Sequence, residues 1–168
     1  KSTNPVKKGF SMPLTSKQKE TRLALRIPQS ASIIEVAKAV SSRVCELAVY
    51  THDEDQSADT SIDLKGGSYE SVRSRHAYVL RGETFEGDCD DFAITTCELA
   101  IMCGVPAHRL WYVLAADETL ITHYKETRPY PSHAIAAIGP ARQTAYTELD
   151  RSTFWENFLW VGDTFDQG

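Results

Sequence analysis

The sequence lacks the long apolar runs, paired cysteines and repeats that mark several large classes of protein. No stretch approaches the roughly 18–20 apolar residues that span a bilayer, so we expect a soluble chain without membrane insertion. No C-x-x-C pair occurs, and no set of cysteines and histidines has zinc-ligand spacing, which argues against a structural zinc site. No signal peptide or low-complexity tract is visible. What is present, 168 residues of which 42% are hydrophobic, is enough for one domain with a core of its own.

Positive charge is scarce beyond the first thirty residues. Residues 1–30 carry seven Lys and Arg against one acidic residue, whereas residues 31–168 carry eleven against twenty-two. An acidic body argues against nucleic acid as its main ligand. The N-terminal residues mix Lys, Ser, Thr, Pro and Gly with little periodicity, apart from an alternation that suits a short strand around Arg22–Ile27. They predict a basic extended arm over residues 1–29, which leaves residues 30–168 as the domain.

Apolar periodicity within the domain predicts helices first and strands afterwards. Ser32 and Glu35 form a capping box at the start of a core helix, and Gly104 and Pro106 end a later one. The predicted helices cover residues 32–50, 69–80 and 89–103, and the predicted strands cover residues 110–115, 120–124, 133–138 and 144–149. An apolar tail over residues 154–161 is expected to dock on the body. This order predicts an α+β fold in which the helix that begins at Cys89 packs on an antiparallel sheet.

One cysteine stands among three carboxylates at the start of a predicted helix, in the stretch Gly87-Asp88-Cys89-Asp90-Asp91-Phe92-Ala93. A helix N-terminus lowers the pKa of a thiol, because partial positive charge and free N–H groups lie beside the sulfur. The same N–H groups can stabilise a tetrahedral oxyanion. We therefore predict that Cys89 is a nucleophile.

A nucleophilic thiol requires a base and a group that orients the base. His133 opens a strand of five apolar residues, and a hairpin through Gly139 and Pro140 would bring Asp150 back beside it. The sequence therefore predicts a triad of Cys89, His133 and Asp150. His123 is the main rival for the base, and Asp163 is the rival for the acid.

The heptapeptide around Cys89 resembles the G-D-C-E/D-D/E-Y/F-A motif of the bacterial transglutaminase-like cysteine proteinases, within the papain-like and transglutaminase-core superfamily. The resemblance covers roughly residues 69–150. It implies a papain-like/transglutaminase-core fold and a transglutaminase-like cysteine peptidase domain over residues 30–168. It also implies Cys89 as nucleophile, His133 as general base, Asp150 as the orienting acid, a protein or peptide substrate, and a periplasmic or secreted location.

The acids beside Cys89 allow two interpretations. In adhesin-cleaving members of the family the acids that flank the cysteine help to bind calcium, which would here involve Asp88 and Asp90. Alternatively Asp88 caps the helix while Asp90 and Asp91 offset its dipole, and no cofactor is required. Three carboxylates should oppose formation of a thiolate nearby through like charge.

The predicted activity is hydrolysis of a peptide or isopeptide bond through a thioester acyl-enzyme. Acyl transfer to an amine by the same residues, of the transglutaminase type, is one alternative. A non-catalytic virion or structural binding module on the same fold is another. The sequence carries no signal for oligomeric state or for the identity of the substrate.

Overall fold

Helices precede an antiparallel sheet in the computed structural model, which describes residues 13–51, 62–64, 68–70, 74–115, 133–141 and 158–162. The helices are α1 (Ser16–Ala24), α2 (Ile33–Leu47), α3 (His76–Arg81) and α4 (Cys89–Met102). The strands are β1 (Ala48–Tyr50), β2 (Ile62–Leu64), β3 (Ser68–Glu70), β4 (Phe85–Gly87), β5 (Leu110–Ala115), β6 (His133–Ile138) and β7 (Trp160–Gly162). The predicted α+β class is confirmed. No helix among the described residues is both long and apolar enough to cross a bilayer.

The main sheet has the order β5-β6-β7, with both neighbouring pairs antiparallel. In β5 and β6 the register runs from Leu110 opposite Ile138 to Ala115 opposite His133. Three of the five residues that follow His133 are alanines, and all five are buried. Such small side chains let α4 pack closely against β6, which brings the helix to the strand that begins with His133.

The core lies between α2, α4 and this sheet. Val36, Val40 and Val44 recur every four residues along one face of α2 and are fully buried, as the predicted periodicity requires. Leu99 on α4 and Ile138 on β6 are buried in the same cluster. The packing of α2 and α4 therefore holds the N-terminal turn of α4 in place.

The predicted extended arm is wrong over residues 16–24, which form α1. Thr15 and Gln18 make a capping box, with the Thr15 N–H donating to Gln18 Oε1 at 2.9 Å and the Gln18 N–H to Thr15 Oγ1 at 3.1 Å. Arg22 is only 4% exposed, and its Nε donates to the Cys103 carbonyl at 2.8 Å while its Nη1 reaches three more carbonyls. The alternation of Leu23, Leu25 and Ile27 suggested a strand. Leu23 is 75% exposed, so it does not belong to the buried face of α1.

The helix predicted over residues 69–80 begins only at His76. Ser68–Glu70 instead pairs antiparallel with Ile62–Leu64, so hydrogen bonds between strands replace those of a helix there. The N–H of Arg75 donates to Thr95 Oγ1 on α4 at 2.8 Å, which fixes the chain just before the first turn of α3.

One further difference concerns a short strand. The helix predicted over residues 32–50 is α2 and ends at Leu47, because the next three residues form β1, which pairs in parallel with β4. The docking predicted for the apolar tail is confirmed for its described residues, since β7 pairs with β6. The strands predicted at residues 120–124 and 144–149 lie outside the described residues.

Candidate active site

Contacts across the first turn of α4 fix the position of Cys89. Asp88 is the N-cap residue in an extended conformation, and its N–H donates to Oδ2 of Asp91 at 3.3 Å. Gly87 approaches Asp91 so closely that a Cβ on Gly87 would lie 2.8 Å from the Asp91 Cβ. A side chain at position 87 would therefore displace Asp91. These contacts make Cys89 the first residue of the helix, as predicted.

The Cys89 thiol is half-buried between its own helix and the start of β6. Its sulfur accepts hydrogen bonds from the main-chain N–H groups of Ala134 and Asp90. Burial is the largest influence on the thiol and raises its pKa above the ordinary value of 9.0, and the charges of Asp88 and Asp90 raise it further. The predicted lowering of the pKa by the helix terminus is therefore wrong in its net sign. The two N–H groups lower the pKa, but burial outweighs them.

The three acids have different environments. Asp91 is 0% exposed, and its Oδ2 lies 4.0 Å from Nη2 of Arg75, which is also buried. Oδ1 of Asp90 accepts the N–H of Asp91 at 2.8 Å. Oδ1 of Asp88 is shielded from solvent and accepts no hydrogen bond from the described residues. The carboxylates of Asp90 and Asp91 thus accept main-chain N–H groups at the start of α4, and the charge of Asp91 faces a buried guanidinium.

Among the described residues, these three acids form a group whose geometry could hold a metal ion. One oxygen from each of Asp88, Asp90 and Asp91 lies within 4.8 Å of the others. Carboxylate oxygens suit a hard cation such as Ca²⁺, and the shielded Oδ1 of Asp88 fits that role. Asp91 fits it less well, because its Oδ2 accepts the Asp88 N–H and faces Arg75. The residues fit a cation only in part.

Tyr50 also reaches the first turn of α4. It lies opposite Gly87 in the parallel β1–β4 pair, and the N–H of Thr51 donates to the Gly87 carbonyl at 2.9 Å. Its ring centroid is 6.4 Å from that of Phe92, and its phenolic oxygen accepts a hydrogen bond from the main-chain N–H of Cys89. Tyr50 was not among the predicted site residues, because it lies 39 positions before Cys89 in a pairing without a local sequence signal.

His133 is the first residue of β6, opposite Ala115 of β5. Its Nδ1 is shielded from solvent, and the residue that follows it donates its main-chain N–H to the Cys89 sulfur. The structure therefore brings the main chain at positions 133 and 134 to Cys89. Asp150 and its rival Asp163, like His123, lie outside the described residues.

Among solved structures, two of LapG from Legionella pneumophila match this chain, one of them of EGTA-treated protein. Each is 18% identical with a TM-score of 0.45, and each match covers 94% of this chain. The matches cover 75% of the EGTA-treated LapG chain and 77% of the other. No family model matches the sequence, and no match was found among curated proteins. A likeness of this size assigns no activity, so the function proposed below rests on the residues of the site.

Proposed function

We propose that this protein is a transglutaminase-like thiol hydrolase that cleaves a peptide or isopeptide bond through a thioester acyl-enzyme. The observation that carries the proposal is the hydrogen bond from the Ala134 N–H to the Cys89 sulfur. It joins the start of α4 to the start of β6, directly after His133. A half-buried thiol at a helix N-terminus, with a histidine on the neighbouring strand, is the arrangement that nucleophilic catalysis uses.

The base is essential in this proposal because the resting thiol keeps its proton. Burial and two carboxylates raise the pKa of Cys89, so the free thiolate is scarce near neutral pH. In the proposed reaction the His133 imidazole takes the thiol proton as the sulfur attacks the substrate carbonyl. Asp150, or Asp163 in its place, orients the imidazole.

The remaining steps follow from the same groups. The carbonyl π electrons move to oxygen as the S–C bond forms, and the resulting oxyanion lies near the N-terminal N–H groups of α4. The intermediate collapses, the C–N bond breaks, and His133 returns the proton to the leaving amine. Water, deprotonated by the same histidine, then attacks the thioester and releases Cys89.

The nucleophile is tested by competitive labelling of the native protein with iodoacetamide at neutral pH, followed by peptide mapping. Because His133 is proposed to take the thiol proton during attack, we expect Cys89 to react at least tenfold faster than Cys45, Cys97 and Cys103 despite its raised pKa. Cys45 is the matched internal control, because it is also half-buried but lies within α2. A His133→Ala variant should slow labelling of Cys89 alone. Equal labelling of all four thiols would refute the nucleophile.

The alternative of acyl transfer differs only in the group that captures the acyl-enzyme. The test is incubation of the protein and a glutamine-containing peptide with a labelled primary amine, with Cys89→Ala as the control. Cleavage without incorporation of the amine identifies hydrolysis. Incorporation that depends on Cys89 identifies transfer.

A further inference from the structure

An oxyanion that forms at Cys89 requires hydrogen-bond donors around the former carbonyl oxygen. The main-chain N–H of Cys89 is one donor, because it belongs to the first turn of α4 and points out of the helix N-terminus. Oxyanion holes combine such an N–H with at least one more preorganised donor, often from a side chain. The second donor has to reach the same oxygen, and therefore has to lie beside the Cys89 N–H.

Tyr50 is the described side chain that meets this condition. It lies opposite Gly87 and beside Phe92, and its phenolic oxygen accepts a hydrogen bond from the Cys89 N–H. The backbone of Tyr50 is fixed by its pairing with Gly87, which lies two residues before Cys89 in the sequence. The ring of Phe92 flanks the ring of Tyr50. The side chain is nevertheless 44% exposed, so solvent and substrate can reach it.

On the basis of the thiol chemistry proposed above, we propose that the Tyr50 hydroxyl is the side-chain donor of an oxyanion hole whose main-chain donor is the Cys89 N–H. In the resting site the phenolic oxygen occupies the acceptor position at this N–H. When substrate binds, its carbonyl oxygen takes that position. The hydroxyl then donates a hydrogen bond to the same oxygen, and this hydrogen bond strengthens as negative charge develops. Tyr50 is thus a catalytic residue, since it touches the reacting atoms.

The environment keeps Tyr50 in the state that this role requires. Burial raises the pKa of its phenol above the ordinary value of 10.0, and the charges of Cys89, when it is ionised, and of Asp88 and Asp90 raise it further. The phenol therefore holds its proton throughout the neutral range and remains a donor. The acids beside Cys89 thereby act on two groups, since they also keep the neighbouring phenol neutral.

The test compares two reactions of Cys89 in a Tyr50→Phe variant. Acylation by p-nitrophenyl acetate passes through a tetrahedral oxyanion: the S–C bond forms and the carbonyl electrons move to oxygen. These electrons then re-form the C=O bond as the ester C–O bond breaks and p-nitrophenolate leaves. Alkylation by iodoacetamide displaces iodide at a saturated carbon and creates no oxyanion. Phenylalanine retains the ring beside Phe92 and removes only the hydroxyl. Tyr78→Phe is the matched control, because Tyr78 is 42% exposed on α3 beneath the Arg81 guanidinium.

We expect Tyr50→Phe to slow acylation by about 100-fold, the usual cost of one oxyanion-hole donor. Alkylation should stay within about twofold of the wild-type rate, and Tyr78→Phe should change neither reaction. If Tyr50→Phe is acylated at the wild-type rate, the donor role is wrong while the nucleophile stands. If acylation and alkylation fall together, Tyr50 acts on the thiolate or on the fold, and the donor role is again wrong. If wild-type Cys89 is not acylated at all, the thiol chemistry itself fails.

Discussion

Replacing Arg75 by methionine tests whether a buried ion pair holds the first turn of α4. Arg75 and Asp91 have side chains that are only 6% and 0% exposed, with 4.0 Å between Nη2 and Oδ2. Methionine fills much of the volume of the arginine stem but leaves the buried Asp91 carboxylate without the charge of Arg75. Removing one partner of a buried pair costs about 3–5 kcal/mol in general. The separation here is long for such a pair, so we expect about 3 kcal/mol.

Urea unfolding measures the loss in the free energy of unfolding. Asp91→Asn and the double variant, Arg75→Met with Asp91→Asn, complete a double-mutant cycle. Asparagine keeps an oxygen that can accept the Asp88 N–H, so Asp91→Asn isolates the loss of charge. The double variant should be more stable than the sum of the single effects by about 1–3 kcal/mol, because neither buried charge is then left alone. In thermal melts, about 3 kcal/mol corresponds to roughly 6–12 °C for a chain of this length.

Two results would refute this reasoning. A cost below about 1 kcal/mol for Arg75→Met would show that other groups, such as the Asp88 N–H, rather than Arg75, stabilise the buried carboxylate. Strict additivity in the cycle would show that the two residues act separately. Labelling of Cys89 provides the functional measurement, since a displaced first turn should also change its rate relative to Cys45.

Three further predictions concern the same turn and the two ends of α4. Gly87→Ala should destabilise the protein by about 1–3 kcal/mol in urea unfolding, because its Cβ would overlap Asp91; an unchanged midpoint would contradict the close approach. Burial raises the pKa of Cys103 to about 11 from 9.0, so the native state holds this proton longer than the unfolded chain does. The free energy of unfolding should therefore fall by about 2 kcal/mol as the pH rises from 9 to 11. If a Cys103→Ala variant showed the same fall, another group would be its cause. Finally, EGTA should change the rate of Cys89 labelling by less than about twofold, because Asp90 and Asp91 are engaged by the helix. A tenfold loss that Ca²⁺ restores, and that Asp88→Asn abolishes, would instead establish the cation site.

Local sequence predicted the elements whose signals are strong over many residues. The helix that starts at Cys89 has an N-cap residue and acids in its first turn, and its observed end at Met102 precedes Gly104 and Pro106. The apolar runs of β5 and β6 match the observed strands at both ends. These elements include the position of the proposed nucleophile and of the proposed base.

Other elements depended on partners distant in sequence. Three residues are too few for a reliable pattern, so the β1–β4 pair, and with it the position of Tyr50, could not be predicted. An arginine is expected to lie in solvent, yet Arg22 and Arg75 are both buried with polar partners. The capping box of α1 was visible in principle at Thr15 and Gln18, but the mixed composition around it concealed the helix.

The sequence by itself determined that one cysteine begins a capped helix and that a histidine begins an apolar strand, because capping and periodicity are local properties of the chain. Only the tertiary structure decided the state of that cysteine. Burial raises its pKa, Arg75 faces the Asp91 carboxylate, and Tyr50 reaches its N–H. Each of these depends on the solvent that packing removes and on the charges that packing brings together. The acids of the motif therefore differ in their surroundings. Asp91 faces Arg75 inside the protein, whereas the charges of Asp88 and Asp90 raise the pKa of the thiol.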